Sequence, residues 1–374
     1  MNINLESIFK NLLAGARLDI ESAVALYQQA ALLDLARAAN FARFLHCPEQ
    51  RVTYLVDRNI NYTNVCNTDC SFCGFYRPDS KHPEAYVISR EELTQKIEEA
   101  LQIGATRILL QGGHNDQLSY DYYLDLVSWI HDNFPIELNA FSPSEIKQMH
   151  LVSGKSYQEI LSELQQAGLA GLPGGGAEIL DDDVRKRVSP KKILASEWIE
   201  IMEVAHGLSL TTSATMVIGF GETLEQRLNH LTRLRDAQDR SRSKGLRGFG
   251  TFISWTLQHN ENTSMGRSRH AAGYGAGAIE YLRHVAIGRL FLDNITHHQA
   301  SWPTLGTDIA QVALHFGCDD IGSTMLEENV VSQAGAPTKH CWSMSPEALR
   351  GCIRDAGFAA AQRNSAFDIL QVFE

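Results

Sequence analysis

Three cysteines, Cys66, Cys70 and Cys73, fall within eight residues of the segment Asn-Tyr-Thr-Asn-Val-Cys-Asn-Thr-Asp-Cys-Ser-Phe-Cys at 61–73. Their C-x3-C-x2-C spacing puts three soft donors on one tight loop. As thiolates they can bind three irons of a cubane and leave the fourth iron without a protein ligand, which is where chemistry can happen. Structural zinc instead asks for four closed ligands; no fourth Cys or His lies at the usual spacing, and the nearest downstream is His82. The other cysteines, Cys47, Cys318, Cys341 and Cys352, are scattered without a pairing pattern. In a reducing compartment the trio therefore reads as metal ligands and not as part of a disulfide framework.

A loop of this kind needs a scaffold, and the sequence predicts a (β/α)8 TIM-type barrel of the α/β class. Short apolar or β-branched runs alternate with amphipathic helical stretches, the pattern of a parallel sheet with crossover helices. The runs are 52–56 with its continuation 60–62, then 106–110, 136–141, 168–172, 210–218, 249–257, 292–298 and 318–323. Helices are expected over 89–103, 120–134, 143–167, 195–207, 224–241 and 277–290. Two carry start signals, Ser89 before Glu91 and Glu92, and Thr223 before Glu225. Helical spacing through Ile8, Leu12 and Leu13, and again through Ala23, Leu26, Ala30 and Leu33, predicts an N-terminal helical cap over 1–50. The barrel is expected over 51–335, with a C-terminal helical extension packed on it over 336–374. Gly112-Gly113, Gly174-Gly175-Gly176 and Gly219-Phe220-Gly221 each follow a predicted strand. At the C-terminal strand ends of a barrel such glycines let backbone approach a ligand, although any one alone is also ordinary turn chemistry.

Composition narrows the class. With 44% hydrophobic and 21% charged residues the chain can bury a full core, and a formal net charge of −11 argues against a phosphate-backbone footprint, so nucleic acid is not expected as a partner. The longest apolar runs, such as 108–110 and 214–218, fall far short of the ~20 residues of a membrane span. The stretch 1–19 lacks the basic, apolar and small-residue regions of an export signal, so a cytoplasmic protein is expected.

Phe72 places an aromatic directly before the last cysteine, and the whole segment resembles the signature of the radical S-adenosyl-L-methionine (SAM) superfamily. That resemblance implies a [4Fe-4S] cluster on Cys66, Cys70 and Cys73, with the open iron chelated by the amino and carboxylate groups of SAM. It also implies a 5'-deoxyadenosyl radical that abstracts hydrogen from an unactivated carbon, and an external electron donor of the flavodoxin or ferredoxin type. Phe72, Gln111, Gly112 and Gly113 would sit about the methionine end of SAM, Glu178 would read its ribose hydroxyls, and 216–222 would line the adenine. The plainer alternative for Glu178 is a carboxylate favoured at a helix start.

The segments 70–77, 111–113, 140–143, 172–180 and 319–329 resemble the menaquinone and deazaflavin group of that superfamily. Within it, 323–331 and Gln299-Ala300-Ser301-Trp302 are most similar to cyclases on the futalosine route to menaquinone. The implied substrate is dehypoxanthine futalosine, a small nucleoside-derived aromatic molecule. Hydrogen is taken from C4', the carbon radical attacks the aryl ring, and loss of an electron and a proton leaves a spirocycle. Candidates for the base are His114, Asp320 and Glu328, with Asp320 favoured; His114 is also explained as a loop histidine and Glu328 as a solvated helix start. Ser142 and Arg187 are expected at the substrate, with Arg77 and Arg185 as further cations for its carboxylate and Phe141, Trp255 and Trp302 about its aryl ring. Two segments depart from the group: 254–259 lacks its usual proline-led start, and 241–248 is unusually basic. These keep open the group's other activities, radical addition to an enol ether and tyrosine-using deazaflavin synthesis. A non-catalytic iron–sulfur or zinc protein is the alternative of another class.

Overall fold

In the computed structural model, which describes residues 4–336 and 343–373, the run that opens the sheet bends at Val56 into β1 (Arg51–Leu55) and β2 (Asp57–Asn61). The expected strands follow: β3 (Arg107–Gln111), β4 (Glu137–Ala140), β5 (Gly171–Leu172), β6 (Thr211–Ile218), β7 (Thr251–Thr256), β8 (His297–Gln299) and β9 (Asp320–Ser323). From β2 to β9 the strands pair in sequence order and every pairing is parallel. The sheet curls until β1 lies beside β9, and a bridge between Arg58 and Leu326 joins β2 to the chain beyond β9.

Strand alternation divides the work of each strand. On β6, Ala214, Met216 and Ile218 are buried in the core, whereas the alternate residues Thr211, Ser213, Thr215 and Val217 line an internal cavity. On β3, Ile108 and Leu110 are buried in the core and Arg107, Leu109 and Gln111 line the cavity. One core thus fills the layer between the strands and the surrounding helices, with a separate inner face left for a ligand.

The helices are set by their caps. Ser89 accepts from Glu92 N at 3.1 Å to start Arg90–Gln102, and Thr223 accepts from Gln226 N at 3.2 Å within a capping box to start Leu224–Ser243. The helix expected over 143–167 is two, Pro143–Ser153 and Tyr157–Gln166. Gly154, at φ 71°, ends the first, and the Ser156–Glu159 capping box starts the second.

Three helices, Leu5–Leu13, Ile20–Gln29 and Leu32–His46, precede the sheet; the second and third pack on Ala278–Phe291, where Tyr27 Oη meets His284 Nδ1 at 2.5 Å. The C-terminal segment departs from the helical expectation. After one helix, Pro346–Asp355, it forms β10 (Ala359–Arg363), which pairs parallel with β1, and β11 (Ile369–Phe373), antiparallel to β10. The expected boundary near 336 and Cys341 abut or fall in residues outside those described. Among the described residues no helix is long and apolar enough to cross a membrane.

Candidate active site

The cysteine loop leaves the C-terminal end of β2 and is tied to its neighbours by backbone hydrogen bonds. Gly113 N donates to Thr63 O at 2.9 Å, and Asn67 N donates to His114 O at 3.1 Å, so the Gln111-Gly112-Gly113-His114 turn after β3 lies against the loop. Glycine is required there: a Cβ on Gly113 would stand 2.1 Å from Val65 O and 2.9 Å from Cys66 Cβ. On the other flank Ser71 N donates to Val188 O at 2.9 Å, and Met265 N donates to Ser71 O at 2.7 Å. Asp69 (φ 42°), Phe141 (φ 66°) and Glu178 (φ 40°) hold left-handed backbone in or beside these turns, a local strain that the surrounding contacts must hold.

Cys66, Cys70 and Cys73 are free thiols lining one end of a cavity of about 450 Å³ that continues down the barrel interior. Burial pushes the Cys70 thiol up to about 12 and raises Cys73 as well, so these thiols are neutral on their own. Cationic metal reverses that preference by stabilising thiolate, and three such donors on one loop beside a ligand-sized cavity fit a three-cysteine iron–sulfur site.

Most of the expected SAM-site residues share this end. Phe72 meets Phe220 edge-on at 5.1 Å and lies under Lys192 at 5.8 Å. Gln111 Nε2 donates to Phe141 O at 3.2 Å, and Gln111, Gly112, Gly113 and Glu178 line the cavity. Ser142 lines it too, while its Oγ accepts from Glu145 N at the start of Pro143–Ser153. His114 also lines it, and burial, with Lys192 nearby, pushes its imidazole down to about 3, so the ring is neutral.

Several expected residues lie elsewhere. Asp320 opens β9 at its N-terminal end, opposite the site; Arg363 Nε and Nη2 donate to its two oxygens at 2.6 and 3.1 Å, and Thr53 Oγ1 donates at 2.7 Å. It does not line the cavity, so the expectation that it acts as the base fails: the strand begins at Asp320, and a barrel site is built at the C-terminal strand ends. Arg187 turns away to donate to Phe220 O at 2.9 Å, Arg77 pairs with Glu84, and Arg185 holds the Gly176, Ala177 and Ile193 carbonyls. None of the three lines the cavity. Phe141 and Trp302 are core, whereas Trp255 lines the cavity. Glu328 reaches the cavity edge, but its carboxylate caps Val330, Val331 and Ser332 N–H groups, and burial raises its pKa. His82 accepts from Glu84 N and lies away from the cysteines' cavity.

The structure adds two residues that spacing did not reveal. Lys192 donates to Glu178 Oε1 at 2.6 Å; burial alone would lower its pKa, but Glu178 and Cys70 outweigh that and raise it. Glu145 is buried with its Oε1 accepting from Tyr62 Oη at 2.9 Å and Gly112 N at 3.0 Å, and burial pushes its carboxyl up to about 7. Lys192 sits in a featureless Ser-Pro-Lys-Lys stretch, but Glu145 had a signal, as the third residue of a helix directly after a barrel strand.

A curled parallel sheet with three cysteines on its first loop and a glycine turn against them defines a SAM-dependent radical enzyme. Sequence comparison agrees: residues 60–234 match the profile of the Radical SAM superfamily, residues 246–374 match the CofH/MqnC C-terminal region, and the chain belongs to that superfamily and to its menaquinone and deazaflavin group. It is 43% identical to cyclic dehypoxanthine futalosine synthase of Halalkalibacterium halodurans, over 100% of this chain and 96% of the relative. It is 37% identical to 5-amino-6-(D-ribitylamino)uracil--L-tyrosine 4-hydroxyphenyl transferase of Methanopyrus kandleri, over 90% of this chain and 89% of the relative. The fold matches the crystal structure of methylornithine synthase with a TM-score of 0.73 at 15% identity, covering 97% of this chain and 98% of that one.

Proposed function

We propose that this enzyme converts dehypoxanthine futalosine to its cyclic spiro product on the futalosine route to menaquinone. The observation that carries the reading is the full-length similarity, at 43% identity, to a relative named for that synthase. When bound, the cluster and SAM would supply the radical chemistry for hydrogen abstraction at C4'.

The protein's own part is binding, orientation and exclusion of water. Cys66, Cys70 and Cys73 hold the cluster at the cavity mouth. The Gly112-Gly113 turn, Gln111 and Phe72 would hold the methionine end of SAM, and Glu178, fixed by Lys192, would hold its ribose. Ser142 stands at the junction with the substrate. The inner face below, with Asn139, Ser213, Thr215, Thr251 and Gln299, offers hydroxyl and amide groups to a polar sugar, and Trp255 offers an aromatic face to an aryl ring. Holding the C4' radical against that ring makes closure effectively unimolecular. His114 is the proton acceptor: it is neutral and lines the cavity, and the proton lost as aromaticity returns is acidic enough for a weak base.

Electrons balance, because the one that starts SAM cleavage is matched by the one lost on rearomatisation. Net products are methionine, 5'-deoxyadenosine, a proton and a substrate lighter by two hydrogens. Anaerobic incubation of the reconstituted, reduced protein with SAM and dehypoxanthine futalosine should give 5'-deoxyadenosine and that product by mass spectrometry. Turnover of an enol ether or tyrosine substrate instead would reassign the enzyme to another activity of its group.

A further inference from the structure

At the opposite end of the barrel from the catalytic cysteines, Cys47, His297 and Asp319 bring one possible ligand atom each within 4.8 Å of one another. Cys47 caps the C-terminus of Leu32–His46, His297 opens β8, and Asp319 immediately precedes β9. We propose that this trio is a zinc-binding site that clamps the N-terminal helices to the floor of the barrel.

The distances carry the argument. Around a tetrahedral zinc with ordinary ligand lengths, sulfur lies roughly 3.5 Å from each neighbouring oxygen or nitrogen, and those two lie roughly 3.3 Å apart. Cys47 Sγ is 3.4 Å from Asp319 Oδ2 and 3.7 Å from His297 Nδ1. His297 Nδ1 and Asp319 Oδ2 are 2.6 Å apart, a hydrogen bond that an ion would replace by opening the pair about 0.7 Å. The same ring nitrogen faces both sulfur and carboxylate, so the three converge on a point. A nucleophile–base–acid relay would instead use both ring nitrogens.

The supporting contacts are those expected behind metal ligands. The other oxygen of Asp319 accepts from Arg289 and from His298 N, and Phe367 stacks on the His297 ring at 3.8 Å and 3°. One thiolate, one carboxylate and one imidazole suit zinc better than magnesium or calcium, and water completes the fourth position. Arg289 and Arg43 are the nearby cations that oppose a dication. Their charge makes the site weaker than a four-thiolate one, and zinc loss on chelation is expected without unfolding.

The test uses the full-length protein with its cluster reconstituted. After equilibration with micromolar zinc sulfate and desalting, elemental analysis should find about one zinc per chain besides the cluster iron. Cys47→Ser, nearly isosteric, and His297→Gln should each cut zinc below about a tenth of that with iron unchanged. Zinc-edge absorption should show one sulfur at ~2.3 Å with nitrogen and oxygen completing the shell. Zinc should also raise the melting temperature of the parent protein and not of Cys47→Ser. No retained zinc, equal zinc in parent and Cys47→Ser, or a three-sulfur shell marking the catalytic cysteines would each overturn the proposal. None of these outcomes depends on which substrate the enzyme cyclises.

Discussion

Replacing Glu145 by Gln isolates a buried titration beside the proposed SAM site. The amide keeps an oxygen for Tyr62 Oη and Gly112 N, so the hydrogen bonds survive while the charge goes. Burial pushes the folded carboxyl up to about 7 from its ordinary 4.5, so the folded state holds the proton more tightly than the unfolded chain does. Wild-type stability is therefore fully present below the unfolded pKa and declines as pH rises from there through the folded one. Relative to a permanently neutral side chain, the carboxyl destabilises the fold by roughly 1 kcal/mol at pH 5 and roughly 3 kcal/mol at pH 8.5. Glu145→Gln should thus gain on the order of 2 kcal/mol on wild type between those pH values. Urea unfolding of both SAM-free proteins measures this directly. A difference between them that does not change with pH would refute the burial argument. A negative carboxylate facing the cavity also favours the cationic cofactor, so the same variant should bind SAM more weakly at pH 8.5.

Cys70→Ala should abolish SAM cleavage while leaving the far-ultraviolet spectrum of the barrel intact; retained cleavage would contradict the ligand assignment. Gly113→Ala forces a Cβ to within 2.1 Å of Val65 O, and should displace the cysteine loop and lower bound iron after reconstitution, at a stability loss of roughly 1–3 kcal/mol. Arg363→Met strands the buried Asp320 carboxylate and should destabilise by about 3–5 kcal/mol in urea, whereas Arg363→Met with Asp320→Leu should recover most of that loss. Thr251→Leu fills the inner barrel face and should weaken substrate binding at least about tenfold while SAM binding, at the other end of the cavity, is unchanged.

The strands were legible because their outward faces are hydrophobic runs bounded by turn residues. The cysteine loop was legible because ligand spacing is a local property. Tertiary decisions were not. Residues 359–363 read Ala-Ala-Ala-Gln-Arg, a helix-favouring composition, yet form β10 because an open edge of β1 is there to pair with. The break at Gly154 did have a local signal, in the glycine followed by Ser156 and Glu159. Asp320 was misjudged although the run 318–323 already put it in the N-terminal half of its strand, away from the C-terminal ends that build a barrel site. The three arginines expected at the substrate carboxylate show a related limit: a cation near a motif in sequence is as readily used to hold backbone carbonyls as to face a ligand, which is what Arg185 does.

What turns this barrel from a packed fold into an enzyme is written in alternate positions of its strands. Most barrel interiors are filled by layers of branched aliphatic side chains. Here the inward positions of β6 carry Thr211, Ser213 and Thr215, β4 offers Asn139, β7 begins with Thr251 and β8 ends with Gln299. Small polar side chains cannot fill those layers, so the interior stays open beneath the cysteines. The outward positions of the same strands supply the buried apolar area that keeps the sheet together. Averaged along a strand, the two patterns cancel into an ordinary apolar run. Separated by the two-residue period, one half encodes the fold and the other the open interior in which the proposed radical cyclisation would be shielded from water.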